Sequence, residues 1–131
     1  MLQCSGLSRG MMDREFILTE QFENQLKAFA NSDQLLLDIE QDIFKDLELP
    51  ISLRDMIQGT GGFTKVRIPL KAQNVGKSGA IRVIYLDCPL PERVFLMMVY
   101  SKSSLGNISE KAKQALKQIG QELKSWQPKK K

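Results

Sequence analysis

Residues 59–102 read GTGGFTKVRIPLKAQNVGKSGAIRVIYLDCPLPERVFLMMVYSK, three β-rich runs in succession with only short breaks between them. The alternation predicts strands over 63–70, 80–87 and 93–102. In the first, Thr64, Val66, Ile68 and Leu70 share one face, and Phe63, Lys65 and Arg67 share the other. In the second, Ile81, Val83 and Tyr85 oppose Ala80, Arg82, Ile84 and Leu86. In the third, Phe95, Met97 and Val99 oppose Val94, Leu96, Met98, Tyr100 and Lys102. The last two runs are partly apolar on both faces, as strands covered on both sides are. Arg82 is the odd member. A guanidinium among apolar neighbours is too costly to bury alone, so it must reach an anion or the open rim of the sheet.

Charge is distributed unevenly along the chain. Residues 59–102 hold seven bases against two acids, residues 13–55 eleven acids against four bases, and residues 103–131 seven bases against two acids. The net charge of +4 hides this contrast, which points to a polyanionic partner for the strands and the tail. No histidine is present, which removes the usual residue of zinc catalysis and of histidine triads. Cys4 and Cys88 suggest neither a disulfide framework nor a metal site. No apolar run is long enough to span a bilayer, and residues 1–12 lack the apolar core of a signal peptide. A cytoplasmic protein is expected.

With 131 residues, one domain is expected. Residues 1–13 show no periodicity and read as a disordered tail or a start assigned too early. Residues 14–19 suit a first strand. Phe22, Leu26, Phe29 and Ala30 then mark one face of a helix. Asn31, Ser32 and Asp33 offer N-caps for a second helix, and Gln34 is spaced for a capping box with Asn31. That helix turns Leu35, Leu36, Ile39, Ile43, Phe44 and Leu47 inward and Asp38, Glu40, Asp42 and Asp46 outward, and ends at Pro50. Residues 51–58 read as a connector. Neither Gly59–Thr60–Gly61–Gly62 nor Gly76–Lys77–Ser78 has the spacing of a phosphate-binding P-loop; the latter reads as a hairpin loop. A last helix over 109–125 starts on Ser109 and buries Ala112, Ala115, Leu116, Ile119 and Leu123. Residues 127–131 are a basic tail. The expected fold is α+β, a mainly antiparallel four-stranded sheet with two N-terminal helices packed on it and a C-terminal helix, in the order βααβββα over residues 14–126.

GTGGFTKVRIP, GKSGAIRVIYLD and VFLMMVYSKSSLGNISEKAKQALKQI, in that order, resemble the HigB-type branch of the RelE/ParE toxin superfamily. The shared features are a GTGG turn before a K-x-R strand, a GKSG loop before R-V-I-Y, and a strand ending in Y-x-K before a lysine-bearing helix. The resemblance covers about residues 14–125 and is most specific over 59–123. It implies a RelE-like fold and a type II toxin, a ribosome-dependent endoribonuclease that cuts translated mRNA in the ribosomal A site. It also implies a helix-turn-helix antitoxin partner.

The residues suit such chemistry. RNA carries its own nucleophile: the 2′-hydroxyl attacks the adjacent phosphorus in line, leaving a 2′,3′-cyclic phosphate, and neither a metal nor a cofactor is required. The protein must orient the backbone, stabilise charge on phosphorus and move two protons. Lys65 and Arg67 are assigned to the scissile phosphate, Arg82 to transition-state charge, Tyr100 to base stacking, orientation or proton transfer, and Lys102 to phosphate contact or proton transfer. Lys77 is assigned to the RNA backbone. Lys71 and Arg93 are read as structural, and Tyr100 has a competing reading as a core residue. Two other functions fit the same fold: a ParE-like gyrase poison, which needs no nuclease residues, and a non-catalytic RNA-binding module.

Overall fold

The alternating runs build a sheet. The computed structural model describes residues 15–69, 80–88, 92–101 and 109–125, and the backbone of 2–4. Its strands are β1 (Leu2–Cys4), β2 (Glu15–Thr19), β3 (Phe63–Pro69), β4 (Ala80–Cys88) and β5 (Arg93–Ser101). The helices are α1 (Glu20–Leu26), α2 (Ser32–Leu47) and α3 (Glu110–Lys124), with a 3-10 turn at Ile51–Leu53. The class is α+β. The strands lie in the order β1-β2-β5-β4-β3, with β2 and β5 parallel and the other pairs antiparallel. Among the described residues the sheet therefore has five strands rather than four. Leu2–Cys4, within the segment read as a tail, pairs with β2 and covers an edge that would otherwise expose its backbone groups. Three residues are too few for alternation to show. β4 and β5 lie in the interior of the sheet with one face under α1 and α2 and part of the other under α3, which explains why they are apolar on both faces.

One face of the sheet is closed by α1 and α2. Phe16, Leu18, Ile68, Ile81, Val83, Tyr85, Val94, Leu96 and Val99 pack there against Phe22, Leu26, Leu35, Ile39, Ile43 and Leu47. Burying each large side chain contributes about 1.5–3 kcal/mol. Thr19 starts α1: its Oγ1 accepts from Phe22 N at 3.3 Å and donates to Leu96 O at 2.9 Å, tying the helix to β5. β2 pairs with β5 only as far as Leu96; beyond that, Val99 N donates to the Gln25 side chain at 2.9 Å.

Two expectations for α2 are corrected. Asn31 occupies the N-cap position in a left-handed conformation, φ 52°, and its side chain makes no capping hydrogen bond, so the capping box does not form. Asparagine is among the few residues that adopt this conformation readily. Asp38 and Glu40 are not outward but 6% and 3% exposed. Asp38 accepts from Gln34 one turn earlier at 3.2 Å. Periodicity identifies the centre of an apolar stripe, but how far its flanks are covered depends on what the helix lies against.

The other face carries α3 at one end. Ser109 caps this helix as expected, accepting from Ala112 N at 3.1 Å. Leu116, Ile119 and Leu123 pack over Phe63, Leu86, Phe95 and Ile57. Gly120 permits the closest approach: a Cβ there would stand 2.9 Å from Phe63 Cε2. The GTGG turn passes beside the same helix. Gly61 and Gly62 have φ of 78° and 124°, which only glycine adopts readily, and Lys124 Nζ donates to Gly61 O at 2.9 Å.

Candidate functional site

Away from α3, the same face becomes charged. Register places Arg67 of β3 directly across from Arg82 of β4, and Arg82 directly across from Tyr100 of β5. The three form one transverse row. Lys65 stands one step along β3 on the same face, in a parallel row with Ile84 and Met98. Four of the residues singled out from the sequence are therefore neighbours: Lys65, Arg67, Arg82 and Tyr100. Lys77 and Lys102 lie outside the described residues, as does Lys71. Arg93 faces Glu15, Nε to Oε1 3.8 Å.

The row is unusual electrostatically. Like charges directly opposed across strands destabilise a sheet, yet Arg67 and Arg82 stand in that relation. Among the described residues no carboxylate lies within ion-pair distance of Lys65, Arg67 or Arg82, although Arg54, Arg93, Lys45 and Lys113 each have one. Arg67 is exposed and Arg82 half-buried. Arg82 Nη1 is buried with no hydrogen-bond partner among the described residues. A buried charged donor without an acceptor is costly and is seldom retained for stability.

Tyr100 is only 7% exposed and joins the apolar cluster beneath it. A ring so covered cannot stack on a base; what it can offer is its hydroxyl. Burial raises its ionisation above the ordinary tyrosine range, the Arg82 charge opposes that shift, and the Asp55 carboxylate adds to it. Residues 51–58 lack periodicity, so nothing in the sequence marks Asp55. The connector nonetheless runs beside β3 for three residues. Lys65 N donates to Asp55 O at 2.9 Å and Ile57 N to Phe63 O at 2.8 Å, either side of a Met56–Thr64 bridge.

The arrangement gathers three cations and one phenol on a shelf beside α3. It can hold an anion with trigonal or tetrahedral oxygens and stabilise added negative charge on it. Among the described residues no three His, Cys, Asp or Glu side chains come together as metal ligands, and no helix is long and apolar enough to cross a membrane. No protein-family model matches the chain.

Proposed function

We propose that this protein is the toxin of a type II toxin–antitoxin pair with a RelE-like fold of the HigB type. It acts as an endoribonuclease that cuts translated mRNA in the ribosomal A site. The observation that carries this reading is the Arg67–Arg82–Tyr100 row, with like charges opposed across strands and a buried guanidinium nitrogen that has no acceptor among the described residues. A phosphodiester supplies the missing acceptors. The K-x-R and R-V-I-Y patterns and the tyrosine of Y-x-K, by which the chain resembles HigB-type toxins, fall on β3, β4 and β5.

On this reading Lys65 and Arg67 hold the scissile phosphate, and Arg82 binds the oxygen on which charge grows as the 2′-hydroxyl attacks. Tyr100 contributes its hydroxyl rather than its ring face. Lys102 and Lys77 extend the phosphate contacts. The reaction needs no metal, because the nucleophile belongs to the substrate. The partners are the message, ribosomal RNA and a helix-turn-helix antitoxin, in the cytoplasm.

The test is induced expression followed by mapping of mRNA 5′ ends. The expected result is new ends inside translated codons, lost when ribosomes are withheld and lost in Arg82→Ala. Arrest of replication before protein synthesis, with intact messages, would overturn the reading.

A further inference from the structure

We propose that Asp55 is a catalytic residue of this site, accepting the proton of the attacking 2′-hydroxyl from the outer side of the phosphate-binding cations. The inference rests on the ribonuclease reading above.

The placement comes from backbone pairing. Met56 bridges Thr64 antiparallel, and the hydrogen bonds on either side make Asp55 the partner of Lys65 and Ile57 the partner of Phe63. Residues directly opposite in an antiparallel pair project to the same face. Ile57 indeed packs in the cluster beneath α3 with Phe63. Asp55, two residues earlier, therefore projects to the same face as Lys65, Arg67, Arg82 and Tyr100. It is exposed, and among the described residues it is ion-paired with none of these cations. Its charge is nonetheless felt at Tyr100, two strands further in than β3, where it opposes the effect of Arg82. The carboxylate and the phenol thus belong to one electrostatic unit.

The order across the face is Asp55, then Lys65 and Arg67, then Arg82, then Tyr100. In-line displacement at phosphorus needs this order. The incoming and departing oxygens occupy opposite apices, so the proton acceptor and the proton donor must stand on opposite sides of the group that holds the phosphate. Three strand spacings, about 14 Å between backbones, separate Asp55 from Tyr100, with the cations on the strands between them. In a chain without histidine, a carboxylate is the side chain that is ready to accept a proton at neutral pH.

The step balances. The 2′-O–H bond breaks and its proton passes to Asp55 as the 2′-O–P bond forms. The P–O5′ bond breaks and O5′ takes the proton of the Tyr100 hydroxyl, leaving a tyrosinate beside Arg82. The proton on Asp55 returns to Tyr100 through solvent, and the products are a 2′,3′-cyclic phosphate and a 5′-hydroxyl.

The experiment uses the full chain and ribosomes programmed with synthetic mRNA carrying either oxygen or sulfur at the bridging 5′ position of the cleaved bond. Sulfur leaves without being protonated. Asp55→Asn keeps the backbone bond to Lys65, because that bond uses the carbonyl of residue 55, and thermal melting checks its fold. The expected result is a loss of about 100-fold or more in single-turnover cleavage for Asp55→Asn on both substrates. Tyr100→Phe should lose cleavage on the oxygen substrate and regain it on the sulfur one. Wild-type cleavage by Asp55→Asn would overturn the role of Asp55 and leave the ribonuclease reading standing. So would a defect in that variant that sulfur repairs, because Asp55 would then serve the leaving group. Failure of the wild type to cut either message would overturn both.

Discussion

The two faces of the sheet treat charge in opposite ways. Beneath α1 and α2, strong polar groups are anchored. Tyr85 donates to Asp46 Oδ2. Arg54 donates from Nη1 to Asp87 Oδ2 at 3.2 Å, from Nη2 to Leu47 O at 2.8 Å and from Nε to Leu49 O at 3.1 Å. It thereby closes the C-terminal end of α2 onto β4. On the face shared with α3, two arginines stand opposite one another and one buried nitrogen is unmatched among the described residues. The same residue type serves as a fastener on one side and remains uncompensated on the other. The difference separates charge that holds the fold from charge left unmatched among the described residues.

The largest effect expected is on the apolar half of the second face. Phe63→Ala should cost about 3–5 kcal/mol in urea unfolding, because Phe63 is fully buried beneath Gly120 and α3. Arg54→Ala should cost about 3 kcal/mol by the same measurement, since it removes a hydrogen-bonded ion pair whose two side chains are only 11% and 12% exposed. Arg82→Ala inverts the pattern. Cleavage should fall by about 100-fold or more, while the melting temperature holds or rises, because a like-charge pair is relieved. A marked fall in melting temperature would make Arg82 another fastener and erase the contrast between the faces.

A smaller effect lies in alkaline solution. Burial, followed by the hydrogen bond to Asp46, raises the ionisation of Tyr85 well above the usual tyrosine range. The folded form then binds its proton more tightly than the unfolded form does. The associated stability is complete below about pH 10, where an unfolded tyrosine titrates, and is lost as pH rises further. Urea midpoints measured between pH 8 and 11 should fall less steeply in Tyr85→Phe than in the wild type. At pH 8 that variant should be weaker by only about 1 kcal/mol. An identical slope in the two proteins would show that the α2 contact does not hold the phenol.

Legibility differed among the elements for physical reasons. β3, β4, β5 and α3 appear within a residue or two of their expected limits, because each is a patterned run and α3 has a serine cap that functions as one. The faces expected for β5 are corrected: a bulge opposite Ile84 and Tyr85 breaks its alternation, so Val99 lies with Val94 and Leu96, and Tyr100 with Phe95 and Met97. Lys65 and Arg67 share a face because a strand has a period of two, and no tertiary information is needed for that. The row is another matter. That Arg67, Arg82 and Tyr100 are aligned is a fact of register across two strand pairs, and register depends on turn geometry and on burial of the facing side chains. Asp55 was invisible because a three-residue bridge has no pattern of its own. The burial of Asp38 and Glu40 was invisible because it is set by what lies beside α2.

The sequence alone determined which residue types were available: abundant cations on β-forming runs, no histidine, and acids concentrated in the N-terminal half. It also determined the local structure, since alternation and helical spacing are properties of neighbouring residues. Only the tertiary structure decided that an arginine would face an arginine, that Tyr100 would be buried, and that a connector would carry a carboxylate to the edge of the cations. Those relations join residues far apart in the chain, and they are fixed by the packing of two apolar clusters on either side of one sheet.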